Sequence, residues 1–331
     1  MRILCSALAS PGFAFPVRAV AERLAATGHE VVRVDGPPFR VGSWHTREAV
    51  RDQLAVLDRA CHAEEPDVVL ASALCLGALL VAARHQIPVA VIGPCTPLLP
   101  DTGSRRDELA AAWRQRAAEA GLAELPVGTL LGDLHLVRSV PELSGAAYLV
   151  GSCRWDPAVP DAVHRWLAAS SAPVVYAQPG RTFSGRGLWP ALSTALPPGA
   201  RLAMSTSRLD KAIRALPRGT LAGPTVPHHA VLPHAAVVVC SGTTATVLGA
   251  LEHGVPLVLV PSGGEHHALA ELLVPRGLAR AVPAEEVSPA RLRAAIDEAI
   301  ALPGAPRKRI RAALAALDGP GRAVAWIEQL P

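Results

Sequence analysis

The segment best suited to chemistry is a loop of small hydroxylated residues that follows an apolar run. The loop reads Ser241-Gly242-Thr243-Thr244-Ala245-Thr246, comes directly after the run 235–240 and opens a stretch with helical spacing. Small residues let backbone N–H groups approach an anion, and a helix N-terminus adds a partial positive charge. The loop therefore predicts a phosphate-binding turn, although it matches neither the P-loop nor the GxGxxG pattern. An ordinary threonine-capped turn between a strand and a helix is the alternative.

A second polar cluster follows the next apolar run. Residues 254–261 predict a buried strand, which is followed by Ser262-Gly263-Gly264-Glu265-His266-His267. Ligands bind at the carboxyl ends of strands in open α/β sheets, so the two clusters are expected to lie side by side. Glu265 and His266 offer hydrogen-bonding groups suited to sugar hydroxyls. A metal site combining His266 and His267 with His228 and His229 is the alternative, but adjacent histidines on one element diverge, and we expect no metal.

The elements that must position these residues alternate along the chain in two sets. In the first set, strands are predicted at 2–9, 30–34, 67–71, 88–92 and 148–150, and helices at 17–26, 47–63, 75–84 and 107–120. In the second set, strands are predicted at 174–177, 201–204, 235–240 and 256–260, and helices at 244–251, 265–273 and 288–300. Strand–helix–strand units with tight turns make parallel sheets. We therefore predict an α/β protein of two Rossmann-like, doubly wound domains with a cleft between them.

Composition and charge exclude several classes of protein. The 331 residues are half hydrophobic and carry a formal net charge of +4. The densest basic run, Arg307-Lys308-Arg309 with Arg311, predicts a solvated helix face, so we expect no nucleic-acid binding. The six cysteines show no CxxC pairing, which indicates buried thiols in a cytoplasmic protein. The apolar stretches 68–83 and 235–251 are too short to cross a bilayer comfortably, so no stable membrane insertion is expected.

Residues 220–283 resemble the donor-binding region of GT-B-fold glycosyltransferases of family 1, the family of UDP-glucuronosyltransferases and of bacterial enzymes that glycosylate macrolides and other antibiotics. The family's motifs are Val-Pro-Gln, His-Gly-Gly, Gly-Ala-Leu-x-x-Gly-x-Pro and Asp-Gln. The corresponding residues here are Val226-Pro227-His228, Ser241-Gly242-Thr243, Gly249-Ala250-Leu251-Glu252-His253-Gly254-Val255-Pro256 and Glu265-His266. Shorter matches at 27–31, 66–69, 87–89 and 175–182 extend the resemblance along nearly the whole chain.

The resemblance implies transfer of a sugar, with inversion, from a UDP- or dTDP-sugar to a small natural-product acceptor, without a metal or another cofactor. The residues that it places at the diphosphate are Ser241, Gly242, Thr243, Thr244 and Thr246, together with Gly180, Arg181 and Thr182. Val226 and His228 would hold the nucleobase through backbone atoms, and Glu265 and His266 would face the donor sugar. Arg181 stands where the family usually has a small hydroxyl residue, so it either pairs with phosphate or is an exposed loop charge.

The catalytic pattern of the family is not kept. The family uses a histidine at the start of its first helix as general base and an aspartate after a later strand to orient it; the corresponding residues here are Phe13 and Ser72. Phenylalanine cannot take a proton, and serine cannot hold an imidazolium. The family's phosphate-facing histidine is replaced by Ser241. Because general acid–base catalysis typically contributes about 10²–10⁴-fold, the sequence predicts slow turnover, a different base or no turnover.

Three functions remain open, and we favour the first. It is a glycosyltransferase whose base is supplied by the acceptor or by a loop residue, for which His45 and Asp101 are candidates. The second is an auxiliary or binding homologue of a glycosyltransferase, and the third is a sugar-nucleotide epimerase on the same fold. The expected partners are the donor, the acceptor and either a second copy of the chain or an auxiliary protein.

The alternating sets also predict the domain boundaries. We expect an N-terminal acceptor-binding domain over residues 1–150 and a C-terminal nucleotide-sugar-binding domain over residues 151–316. Residues 317–331 are expected to form a helix that packs back on the N-terminal domain, with Trp326 as its anchor.

Overall fold

The computed structural model describes residues 1–100, 103–178, 188–205, 216–224, 226–263 and 265–331. The chain folds into two units. The first consists of Met1–Trp155 and Leu317–Pro331, and the second of Asp156–Ala316. The second unit therefore starts at Asp156, a little after the boundary expected at residue 151.

A parallel β-sheet covered by helices forms the first unit. Its strands are β1 (Arg2–Ser6), β2 (Glu30–Val34), β3 (Val68–Ser72), β4 (Val89–Gly93) and β5 (Leu134–Val137), and its helices include α1 (Pro11–Ala26), α2 (Arg47–Glu64), α3 (Leu76–His85) and α4 (Ser104–Glu119). The strand order is β2-β1-β3-β4-β5, and each neighbouring pair is parallel. Alternate residues enter opposite cores: Leu4 and Val69 pack in one, and Ile3 and Leu70 in the other. Both faces of the sheet are thus covered, as parallel sheets require.

The largest differences from the prediction in the first unit concern the last strand and the first helix. The last strand is β5, whereas the predicted strand 148–150 forms only a bridge between Val137 and Leu149. His135 interrupts the apolar pattern of β5, which hid this short strand. Helix α1 starts at Pro11 rather than at residue 17. Proline is well suited to the first helical position, because its missing N–H leaves no bond unmade there.

The second unit is built on the same plan. Its strands are β6 (Val174–Gln178), β7 (Arg201–Ser205), β8 (Leu221–Gly223), β9 (Ala235–Cys240), β10 (Leu257–Leu259) and β11 (Ala279–Ala281). Its helices include α5 (Asp161–Ala168), α6 (Leu188–Ala195), α7 (His228–Val231), α8 (Thr244–Glu252), α9 (His266–Leu273), α10 (Pro289–Ile300) and α11 (Gly304–Ala315). The described strands lie parallel in the order β11-β10-β9-β6-β7-β8. The prediction missed β8 and β11, which at three residues each are too short for an alternating pattern.

The C-terminal helix α12 (Gly319–Ile327) belongs to the first unit. Val324 and Ile327 are buried in the same core as Leu24 of α1. Trp326 is only partly buried and meets the ring of Tyr148 edge to face at 5.1 Å. The aliphatic residues of α12 therefore enter the core, and Trp326 adds a contact at its margin.

Other sequence expectations are met to different degrees. All six cysteines are buried thiols, as predicted. Over the described ranges, no helix combines the length and the apolar character needed to cross a membrane. The prediction of a solvated basic helix face at residues 307–311 is only partly correct. Arg307 is buried and donates hydrogen bonds to the carbonyl oxygens of Gly254 and Leu302.

Candidate functional site

The turn between β9 and α8 lies at the carboxyl edge of the second sheet. β9 ends at Cys240, Ser241 and Gly242 form the turn, and Thr243 is the N-cap of α8. Gly242 has a φ of +95°, and a Cβ on it would lie 3.5 Å from the Cα of His266. Any larger residue would be strained at this φ. The backbone conformation, rather than the distance to α9, therefore favours glycine at this position.

Glu265 is bonded to the first residue of α8. One carboxylate oxygen accepts from the backbone N–H of Thr244 at 2.8 Å, and the other accepts from the Thr244 hydroxyl at 2.5 Å. Glu265 is itself the N-cap of α9, yet its side chain makes no capping bond to that helix. The carboxylate that the sequence assigns to a sugar thus lies on the two donors that the sequence assigns to a phosphate.

A chain of side-chain hydrogen bonds runs from the same turn to the end of β6. The Thr246 hydroxyl donates to Oε1 of Gln178 at 2.7 Å. Since the proton of Thr246 is used there, the 3.1 Å contact between the hydroxyls of Thr243 and Thr246 uses the proton of Thr243. Gln178 is not among the site residues predicted from the sequence. Its position at the end of a buried strand, just before Pro179-Gly180, was the signal that could have identified it.

Ser241 differs from the three threonines of this turn. It is 1% exposed, and its N–H donates to the backbone oxygen of Gln178 at 3.3 Å. Its hydroxyl has no hydrogen-bond partner among the described residues. Leaving a buried polar group unsatisfied costs about 1–3 kcal/mol. Ser241 Oγ is therefore the hydroxyl of this turn best placed to accept a new partner.

The histidines of the second unit separate into different environments. His266 is 5% exposed, with Nδ1 3.5 Å from Ser262 Oγ. His228 packs against the ring of Tyr176 at 5.4 Å, and burial lowers its pKa, so the ring is neutral at pH 7. His229 pairs with Asp156 at 3.2 Å. Among the described residues, no cluster of three or more His, Cys, Asp or Glu could hold a metal ion.

The remaining donor-side residues are only partly described. Val226 is buried, and its N–H donates to Ser205 Oγ at 3.4 Å, so this N–H has a partner within the protein. Gly180, Arg181 and Thr182 lie outside the described residues.

The positions of the family's catalytic pair are occupied by residues with structural contacts. Phe13 lies in the first turn of α1 and packs against the hydrophobic core. Ser72 ends β3, is 1% exposed, and accepts a hydrogen bond from the N–H of Leu8 at 3.1 Å. Neither side chain can act as a general base. Of the two candidate replacements, His45 is exposed with its ring 4.9 Å from that of Trp44, and Asp101 lies outside the described residues.

Comparison with known proteins gives both a family match and matches to solved structures. Residues 202–320 match the family "Erythromycin biosynthesis protein CIII-like, C-terminal domain". This range includes the whole β9–α8 turn and Glu265. By sequence, the chain matches none of the curated proteins with which it was compared.

The structural matches cover the chain from end to end. The spinosyn rhamnosyltransferase SpnG complexed with thymidine diphosphate superposes with a TM-score of 0.75 at 19% identity, covering 99% of this chain and 100% of that one. SsfS6, a glycosyltransferase of Streptomyces sp. SF2575 complexed with thymidine diphosphate, superposes with a TM-score of 0.71 at 24% identity, covering 100% of both chains. The glycotransferase of kitacinnamycin superposes with a TM-score of 0.72 at 23% identity, covering 100% of this chain and 99% of that one. The prediction of two doubly wound parallel-sheet domains is confirmed, and the fold is GT-B.

Proposed function

Because the chain has the GT-B fold of family 1 glycosyltransferases and its residues 202–320 match the erythromycin CIII-like C-terminal domain, we propose that it is a nucleotide-sugar-dependent hexosyltransferase. The donor would be a dTDP- or UDP-sugar, and the acceptor a small natural product of the antibiotic class. We favour dTDP, since SpnG and SsfS6 are complexes with thymidine diphosphate.

The contact between Thr244 and Glu265 is the observation that carries this proposal. Thr244 N and Oγ already bind a carboxylate, with lengths of 2.8 and 2.5 Å. An anionic oxygen group therefore fits the start of α8, where the helix dipole favours negative charge. Phosphate oxygens carry the same charge and accept from the same donors. We assign the donor diphosphate to the turn Ser241–Thr246 with the loop Gly180–Thr182, the nucleobase to Val226 and His228, and the sugar to His266.

The acceptor side requires a base that the chain does not supply at positions 13 and 72. Phe13 packs against the hydrophobic core and Ser72 accepts a hydrogen bond from Leu8, so the usual general base and its orienting carboxylate have no counterpart there. We propose inverting transfer without a metal, to an acceptor whose own acidity lowers the need for a base, such as a phenol or a carboxylate. The same observation favours a second candidate function, an auxiliary homologue that binds donor but turns over poorly. The buried thiols favour a reducing cytoplasm as the location.

Calorimetry with dTDP and UDP tests the donor site. We expect dTDP to bind the native protein and Thr244→Asp to abolish the binding, because the new carboxylate repels the diphosphate. Thr194→Asp makes the same exchange at an exposed position of the second unit and should bind like the native chain. No binding of either nucleotide to the native protein would refute the proposal, and undiminished binding by Thr244→Asp would show that the diphosphate lies elsewhere.

Transfer assays separate the two candidate functions. A dTDP-sugar is incubated with the protein and a panel of phenol and carboxylate acceptors, and released dTDP and glycosylated product are measured. Product formation identifies a transferase. Nucleotide binding without transfer or hydrolysis would support the auxiliary role.

A further inference from the structure

The two donors at the start of α8 are both in use. Thr244 has one backbone N–H and one hydroxyl proton, and each is donated to a different oxygen of Glu265. Thr244 is fully buried, so these protons have little access to water. A diphosphate can use them only if the carboxylate leaves, since each proton makes one good hydrogen bond and the two anions repel each other.

Glu265 reaches this position from another element. It precedes α9 and follows β10, which is the neighbour of β9 in the sheet. The adjacent parallel strands place the starts of α8 and α9 at the same edge. The Glu265 side chain leaves its own helix uncapped and binds the neighbouring helix instead. The Glu265 side chain can therefore leave Thr244 without giving up a capping bond to α9.

Ser241 provides an independent sign that a ligand binds this turn. Its side chain is 1% exposed, and its hydroxyl has no partner in the part of the chain that the structure describes. The Glu265 carboxylate accepts both protons of Thr244 but does not provide a hydrogen bond to the Ser241 hydroxyl. An incoming phosphate has more acceptor oxygens than a carboxylate and can serve both residues.

We propose that Glu265 is an internal anion that the donor diphosphate displaces from Thr244. The inference rests on the proposed donor site and adds a residue that sets its affinity. Binding is then an exchange of one anion for another. The apparent affinity for nucleotide equals the intrinsic affinity multiplied by the fraction of molecules in which Glu265 does not occupy Thr244. The sequence predicts instead that Glu265 faces the donor sugar.

Nucleotide affinity in Glu265 variants tests the exchange. Binding of dTDP, UDP and thymidine is measured by calorimetry for the native chain, Glu265→Gln, Glu265→Ala and Glu271→Gln. The Glu271 variant removes one negative charge from an exposed position of the same helix. We expect Glu265→Gln and Glu265→Ala to bind dTDP about tenfold more tightly, as expected when a charged competitor for two hydrogen bonds is removed. Thymidine, which has no phosphate, should bind all four proteins equally.

The outcomes distinguish this inference from the proposed function. Tighter dTDP binding by either folded Glu265 variant, with Glu271→Gln like the native chain, supports the exchange. Equal or weaker dTDP binding in these variants overturns the exchange while leaving the donor site intact. Absence of dTDP and UDP binding in all four proteins refutes the donor site and the exchange together.

Discussion

Thr246 and Gln178 join the start of α8 to the end of β6 through a 2.7 Å hydrogen bond. Thr246 is 1% exposed and also contacts the hydroxyl of Thr243, so its proton and a lone pair are both used. In the sequence, Gln178 lies two residues before Gly180, the first of the residues 180–182 that are also assigned to the diphosphate. The bond fixes the last residue of β6 to the first turn of α8.

Replacing Thr246 by valine tests this link. Valine has nearly the same shape but cannot donate, so Gln178 Oε1 and the Thr243 hydroxyl each lose their partner. We expect the free energy of unfolding to fall by about 1–3 kcal/mol and dTDP affinity to fall several-fold. Denaturant unfolding and calorimetry measure the two effects. Thr246→Ser keeps the hydroxyl and should retain dTDP affinity. Native affinity in Thr246→Val would show that the hydrogen bond to Gln178 does not contribute to binding.

The β9–α8 turn was predictable because its signals are local. An apolar run, a glycine and a series of hydroxyl residues before a helical stretch are readable within twelve residues, and the structure has β9 over Ala235–Cys240 and α8 from Thr244, as predicted. The same holds for the βαβ order of both units, which follows from alternating periods and turn residues.

The partners of these hydroxyls were not predictable because they lie far away in the sequence. Glu265 follows Thr244 by 21 residues, and Gln178 precedes Thr246 by 68. Only the strand order β10-β9-β6 brings them together. The Glu265-His266 motif indicates sugar binding. That the Glu265 carboxylate instead accepts hydrogen bonds from Thr244 depends on the packing of neighbouring strands, which the motif does not contain.

A single change at position 13 should not restore general base catalysis. Ser72 cannot stabilise a protonated ring, so we expect Phe13→His to change kcat/KM for transfer by about tenfold or less. The double variant Phe13→His/Ser72→Asp supplies both members of the pair and should gain about 10²-fold or more. An aspartate at position 72 can still accept the hydrogen bond from Leu8.

Transfer rates against pH for both variants and for Ser72→Asp alone are the measurement. In the double variant alone, we expect the transfer rate to rise with pH through the pKa of the introduced histidine, because the base acts in its deprotonated form. If Phe13→His alone gains as much as the double variant, orientation by residue 72 is unnecessary and the prediction is wrong.

Burial of His135 makes the stability of the fold depend on pH. Burial lowers the pKa of His135 to about 4, and its Nε2 has no partner among the described residues. Below pH 6.5 the unfolded chain takes up a proton that the folded chain refuses until about pH 4. The free energy of unfolding therefore decreases as the pH falls through this window, by about 3 kcal/mol at most.

Unfolding of the native chain and of His135→Gln is measured between pH 4 and 8. We expect the difference between the two proteins to change by about 1.4 kcal/mol per pH unit inside the window and to be constant above pH 7. His164→Gln, at an exposed position of α5, should follow the native curve. Parallel curves for the native chain and His135→Gln would mean that the pKa of His135 is the same in the folded and the unfolded chain.

Gly319 permits the close approach by which the tail joins the first unit. A Cβ on Gly319 would lie 2.2 Å from the carbonyl oxygen of Val150 and 3.2 Å from the N of Cys153, and both are backbone atoms. We expect Gly319→Ala to lower the free energy of unfolding by about 1–3 kcal/mol, measured by denaturant unfolding. Gly304→Ala is the matched control, since a Cβ at this helical position meets nothing within 4 Å. It should be neutral or slightly stabilising, because alanine favours helix more than glycine does. Equal stability of the two variants would show that the backbone near Val150 yields easily and that the hydrophobic residues of α12 alone hold the tail.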